Sequence, residues 1–133
     1  MKKILLAYDG GEPAKRALAQ TIELALKFGA EVGVVSVVPG RSGRSPVDPW
    51  DDRTVHAEEL LEARRALRAA GIEAEMLEPG GDVARTIEKV ADERGYDTIV
   101  VGARGLGSLA KVLQGSVSEH VATHAHATVI VAR

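Results

Sequence analysis

Residues 4–38 read ILLAYDGGEPAKRALAQTIELALKFGAEVGVVSVV, and this stretch decides the fold. Ile4 to Tyr8 is a short continuous apolar run, the signature of a strand buried on both faces. Pro13 suits the first turn of a helix, where its missing N–H costs nothing. Ala17, Leu18, Thr21, Ile22, Leu24, Ala25 and Phe28 then recur at helical spacing, and Gly29 closes the helix. Val32 to Val38, rich in β-branched residues, reads as a second strand. A strand, a helix and a second strand of this kind make a βαβ unit with parallel strands.

The alternation continues to the end of the sequence. Pro39 to Pro49 reads as a long irregular loop, and Trp50 is expected to belong to it, packed locally. Asp51 or Asp52 offers an N-cap for a second helix running to about Ala70, which Gly71 ends. Ile72 to Leu77 is a third strand, and Pro79-Gly80-Gly81 turns the chain. Asp82 caps a third helix through Ala84, Ile87, Val90 and Ala91, ended by Gly95. Thr98 to Val101 is a fourth strand, Ser116 to His124 a fourth helix and Thr128 to Ala132 a fifth strand. The expected fold is α/β: a single domain over residues 1–133, with a five-stranded parallel open sheet and helices on both faces, an α/β/α sandwich.

Composition narrows the function. The chain has 133 residues, 45% of them hydrophobic and 27% charged, enough for one core and a charged surface. Cysteine is absent, which removes disulfides, thiolate metal sites and cysteine nucleophiles. Tyr8, Phe28, Trp50 and Tyr96 are the only aromatic residues, too few for a base-stacking platform. A net charge of −2 argues against a basic groove, so no nucleic acid partner is expected. No apolar run reaches the roughly 18 residues of a membrane span. The N-terminal run meets Asp9 before any signal-peptide core develops, so a cytoplasmic protein with no membrane partner is expected.

Ligands of open α/β sheets bind beyond the carboxyl ends of the strands. The residues there are Asp9-Gly10-Gly11 after the first strand and the segment from Gly102 to Glu119 after the fourth. Gly102, Gly105 and Gly107 let backbone N–H groups approach a polyphosphate. Gly115-Ser116 opens a helix, whose N-terminus favours anions. Arg104 and Lys111 add positive charge. Bland alternatives stand beside each of these. Asp9 can cap the first helix, Arg104 can be a solvated loop charge, and Ser116 with Glu119 forms a capping box that needs no ligand. Gly105-Leu106-Gly107 does not follow the first strand of a βαβ unit, so the dinucleotide fingerprint is rejected, and no P-loop lysine is present. His120 and His124 share a helix face and His126 follows, but they lack the carboxylate of a zinc motif, and no metal site is assigned.

The spacing Gly102-x₂-Gly105-x₉-Gly115-Ser116 resembles the G-2x-G-9x-G-(S/T) nucleotide-binding motif of the universal stress proteins. The opening strand ending in Asp9-Gly10, the length and the closing Val129-Ile130-Val131 strand resemble that family too, so the resemblance covers the whole chain. It implies a strand order of 3-2-1-4-5. It implies ATP as ligand, with Mg2+. Asp9 would hold the ribose, and the backbone at Val37 would face adenine. Gly102, Ala103, Arg104 and Gly105 would wrap the phosphates with Gly115, Ser116 and Val117, and Ser118 is counted in the same site. Ala7 stands where some ATP-binding relatives carry proline and contributes backbone. The resemblance also implies a homodimer through the closing strand 128–132, which fits an apolar edge that would otherwise pair without control.

The function expected is that of an ATP-binding stress-response regulator, acting by binding an adenine nucleotide rather than by turnover. No general base with an evident partner is visible, so any ATP hydrolysis should be slow. The alternatives are a nucleotide-dependent enzyme that cleaves ATP and a dimeric scaffold with no nucleotide role. Enzymes of a related fold that cut ATP between its α- and β-phosphates want a Ser-Gly-Gly-x-Asp-Ser loop, and the loop from Tyr8 to Pro13 lacks both serines. A phospho-receiver needs an aspartate after strand three, where Leu77-Glu78-Pro79 stands instead.

Overall fold

The structure is a computed structural model that describes residues 1–39, 49–103 and 126–132. In chain order its elements are β1 (Lys3–Ala7), α1 (Glu12–Phe28), β2 (Glu31–Val35), β3 (Val38–Pro39), α2 (Pro49–Ala69), β4 (Ala74–Leu77), β5 (Gly80–Gly81), α3 (Val83–Arg94), β6 (Thr98–Gly102) and β7 (Thr128–Ala132). Five parallel strands form one sheet in the order β4-β2-β1-β6-β7. Counting those five alone, the order is 3-2-1-4-5. The two-residue strands β3 and β5 pair separately.

The apolar run of β1 is explained by its place at the centre. Ile4, Leu6 and Tyr8 point to one face, where they meet Ala14, Ala17, Leu18 and Ala25 of α1 and Leu60, Ala63 and Leu67 of α2. Leu5 and Ala7 point to the other, where they meet Val83, Ala84, Ile87 and Ala91 of α3. Each large side chain so buried contributes about 1.5–3 kcal/mol. The one hydroxyl inside α1, on Thr21, is buried but satisfied, donating to the Ala17 carbonyl at 2.8 Å. Helix α3 begins as the sequence reads: Asp82 accepts the Arg85 N–H at 3.0 Å.

Several boundaries differ from expectation, each for a physical reason. The second strand ends at Val35 rather than Val38, because β1 turns away after Tyr8. The chain stays extended, and Val38–Pro39 pairs with Gly80–Gly81, so those glycines form a short strand rather than only a turn. The third strand starts at Ala74 because Ile72 still closes α2, its N–H donating to the Leu67 carbonyl at 2.9 Å. Helix α2 starts at Pro49, ahead of the two aspartates, so Trp50 lies in the helix and not in a loop. Proline favours the first helical position. The interior of the expected loop, 40–48, and the expected helix 116–124 lie outside the described residues.

Gly33 is required by packing. It lies in β2 opposite Leu5 and Glu75, and a Cβ there would sit 2.0 Å from Tyr96 Oη and 2.5 Å from Cζ. The buried Tyr96 ring lies across the strand at this point, and its hydroxyl donates to Glu75 Oε1 at 2.6 Å. Burial first, then that hydrogen bond and the Glu75 charge, pushes the phenol above its ordinary value of 10.0. Lys3 Nζ lies 4.6 Å from the ring centroid and donates to the Arg94 carbonyl at 2.6 Å.

Asp97 ties the starts of three strands together. Its Oδ2 accepts the N–H groups of Lys2 and Lys3 at 2.8 and 2.9 Å, its Oδ1 accepts the Thr98 hydroxyl at 2.7 Å, and its carbonyl accepts the Thr128 N–H at 3.0 Å. Burial alone would raise its pKa. The Thr98 hydroxyl, the two backbone N–H groups and the N-terminal charge outweigh it and hold the carboxyl below its ordinary value of 3.8. A depressed carboxyl adds stability above its unfolded pKa, and that part is lost as pH falls through the folded value. Asp97→Asn is expected to cost about 1 kcal/mol at neutral pH, since the group is exposed and screened. The variant should also lose less stability than the parent as pH falls below about 4. Urea midpoints measured from pH 7 to pH 2 test this; parallel curves for parent and variant would refute it.

Candidate functional site

The strand order reverses at β1, with β2 on one side and β6 on the other. That reversal opens a crevice beyond the carboxyl ends of β1 and β6. Leu6 pairs with Val100, so the ends of β1 and β6 and the residues that follow them, Asp9 and Ala103, emerge on the same end of the sheet. The fold therefore gathers Ala7, Asp9, Val37, Gly102 and Ala103 at one end of the sheet.

Each reaches that place differently. Ala7 and Val37 are core residues, 1% and 4% exposed, their side chains packed on the α3 face. Only their main chain is available to a ligand. Around Val37, the Ser36 N–H donates to the Leu77 carbonyl at 2.9 Å and the Val38 N–H to the Pro79 carbonyl at 2.8 Å. Both bonds run toward β4. In an extended chain alternate residues turn their peptide groups to opposite sides, so the N–H and C=O of Val37 face the β1 side. There β1 has ended: its last contact with β2 is the Tyr8 N–H donated to the Val35 carbonyl at 3.0 Å. A donor and an acceptor on one peptide edge thus border the crevice.

Asp9 is half-buried and forms a turn of its own, Oδ1 accepting the Gly11 N–H at 2.9 Å. Gly10 within that turn has φ +81°, a conformation glycine adopts without steric cost. Gly11 is the N-cap of α1 and makes no side-chain cap bond, so the capping role considered for Asp9 is met one step ahead of the helix. Gly102 is glycine for a packing reason. A Cβ on it would lie 2.6 Å from Pro13 Cβ and 2.8 Å from the Pro13 carbonyl carbon. The first turn of α1 rests on β6 at this point. Ala103 leaves the sheet with its N–H donated to the Ala132 carbonyl at 2.6 Å. Arg104, Gly105, Gly107, Lys111, Gly115, Ser116, Val117 and Ser118 lie outside the described residues.

Four residues not singled out from the sequence join this end of the sheet. The Tyr8 side chain is 2% exposed beneath α2, and its hydroxyl donates to Glu62 Oε1. Burial first pushes the phenol above its ordinary value of 10.0, and the Glu62 bond with the charges of Glu62, Glu59 and Asp9 pushes the same way. Ser36 is buried, and its hydroxyl lies 3.4 Å from Glu59 Oε1. Ser36 carries a signal in the sequence, a lone hydroxyl inside the run from Val32 to Val38. Glu59 and Glu62 carry none, since acids three apart on a helix read as a solvated face. Among the described residues no group of three or more His, Asp or Glu is placed to hold a metal ion. His126, at the opposite end of the sheet, lies with Nδ1 3.3 Å from Asp92 Oδ2.

Comparison with known proteins agrees with this architecture. The family model described as the universal stress protein family matches residues 1–133. A relative from Staphylococcus haemolyticus described as a universal stress protein is 32% identical over 99% of this chain and 84% of its own. A universal stress family protein from Burkholderia pseudomallei superposes with a TM-score of 0.79 at 28% identity, over 98% of this chain and 94% of its own. A universal stress protein from Archaeoglobus fulgidus, solved in complex with dAMP, gives 0.79 at 26% identity over 100% and 98%. The chain belongs to the universal stress protein family. Among the described residues no helix is long and apolar enough to cross a membrane.

The contact between Pro13 and Gly102 can be tested. Gly102→Ala is expected to cost about 1–3 kcal/mol, the usual penalty of overpacking. Pro13→Ala should not rescue it, because the Pro13 carbonyl carbon is backbone and stays 2.8 Å from the new Cβ. Urea unfolding of the single and double variants measures this; an unchanged midpoint in Gly102→Ala would show that α1 does not rest there.

Proposed function

We propose that the chain binds an adenine nucleotide, ATP with Mg2+ foremost, in the crevice beyond β1 and β6, and acts as a cytoplasmic stress-response regulator by that binding. The observation that carries the reading is the peptide edge of Val37. Its N–H and C=O border the crevice side by side, matching the neighbouring acceptor and amino donor on one edge of adenine. Asp9, in the turn after β1, offers a carboxylate to ribose hydroxyls. The A. fulgidus relative complexed with dAMP supports the ligand class. We assign the phosphate subsite to Arg104, Gly105 and Gly115 to Ser118, on the glycine spacing of the sequence.

Isothermal titration with AMP, ADP and ATP, with and without Mg2+, tests the reading. ATP should bind at micromolar to millimolar concentration, and Gly115→Val should weaken it at least tenfold by adding bulk at the helix entry. No binding by the parent below millimolar concentration would sink the nucleotide reading.

The protein also pairs as a homodimer through β7. The two edges of the sheet differ. Near β4, Glu73 pairs with Arg68 and Glu75 with Arg94, whereas β7 is Thr128-Val129-Ile130-Val131-Ala132, with no charge and with Val131 38% exposed. An apolar edge left open invites another strand, and a lysine blunts it. Val131→Lys is expected to convert the dimer to a monomer in sedimentation experiments without lowering the thermal midpoint of the monomer. A dimer of undiminished affinity would exclude this edge.

A further inference from the structure

The crevice holds a residue placed to choose between bases. Glu59, on α2, reaches across the gap between the end of β1 and the end of β2. Its Oε1 lies 3.4 Å from Ser36 Oγ, next to Val37, and its Oε2 would lie 3.4 Å from a Cβ on Gly10, next to Asp9. Gly10 therefore does two things: it takes the positive φ of the turn, and it leaves space that the Glu59 side chain fills, with Cγ 3.2 Å from that Cβ position. The carboxylate thus lies against the chain neighbours of both residues proposed to meet the nucleoside, Ser36 before Val37 and Gly10 after Asp9.

An ionised carboxylate only accepts hydrogen bonds. A ligand group beside it must donate, or else an acceptor faces an acceptor in a partly desolvated site, which costs affinity. Adenine carries an amino group at position 6, with two hydrogens. One suits the Val37 carbonyl, and the second remains for a further acceptor. Hypoxanthine and guanine carry an oxygen at that position. We propose that Glu59 is a specificity-determining residue, its carboxylate accepting from the 6-amino group and selecting adenine over 6-oxo purines. The inference rests on the nucleotide reading above and adds to it a side-chain source of base choice beside the Val37 peptide edge.

The test uses pairs that differ only at position 6: AMP with IMP, and ATP with ITP. The parent should bind the amino member at least tenfold more tightly, the usual discrimination of a charge-assisted hydrogen bond. Glu59→Gln keeps the shape and adds an amide donor that can turn to an oxygen. It should lower that ratio about tenfold, mostly by improving IMP and ITP. Glu58→Gln, which removes one charge from an exposed position of the same helix, should leave the ratio within twofold. An unchanged ratio in Glu59→Gln overturns the inference, as does an equal loss of both members, which would place Glu59 on the sugar. A parent that binds both members equally overturns it too and leaves nucleotide binding standing. A parent that binds none of the four removes the nucleotide reading itself. Thermal melting of each variant confirms the fold.

Discussion

The first turn of α1 lies on a strand with no side chain to hold it off. Pro13 meets Gly102 at a distance no Cβ would allow, and much of the crevice follows from that contact. It fixes how near the N-terminus of α1 comes to the end of β6. It thereby leaves the chain few ways to cross from Ala7 to Glu12, so the link is a tight turn with Gly10 at φ +81° and Asp9 folded onto the Gly11 N–H. Glycine at 102 reads from the sequence as room for a ligand, and the structure assigns the space on its Cα to a helix. The two demands do not compete. A glycine whose front is covered by a helix can still present its peptide groups beyond the strand end.

How much of this the sequence carried follows from the range of each interaction. The five strands, their alternation with helices, the cap at Asp82 and the helix stops at Gly29 and Gly95 are local, and the residues that make them lie within a few positions of one another. Gly33 could not be read this way, because its reason is Tyr96, 63 residues later and two strands away in the sheet. The break after Val35 escapes for the same cause: the apolar run continues to Val38, and only the departure of β1 ends the ladder. Asp9 and Val37 were placed by family resemblance and by the rule for strand ends. Glu59 was invisible because its meaning lies in the distance to Gly10 and Ser36.

The buried hydroxyls show the same economy on both faces. Tyr8 and Tyr96 are deep in the two halves of the core, and each hydroxyl ends on a glutamate from a peripheral element, Glu62 of α2 and Glu75 of β4. A buried phenol needs a partner, and an acceptor at the rim lets the ring stay inside while the charge stays in water. Each pair also pins an outer element to a central strand. Tyr8 holds α2 to the end of β1, beside the crevice, so the position of Glu59 is fixed within three residues of an anchored point.

The carboxylates give the crevice a direction. Glu62 meets the Tyr8 hydroxyl and Glu59 lies against Gly10, next to Asp9, so three carboxylates gather at the end of β1. The positive end of α1 lies by Asp9 and offsets part of that charge, but the three carboxylates only accept. A phosphate placed on this side would meet like charge. A ligand with one donor-rich end and one anionic end would turn its donors toward these carboxylates and its anion away from them. A nucleotide has that polarity along its length. Charge in this crevice thus favours one way round for such a ligand before any shape complementarity applies, because exchanging its ends would set phosphate against three carboxylates.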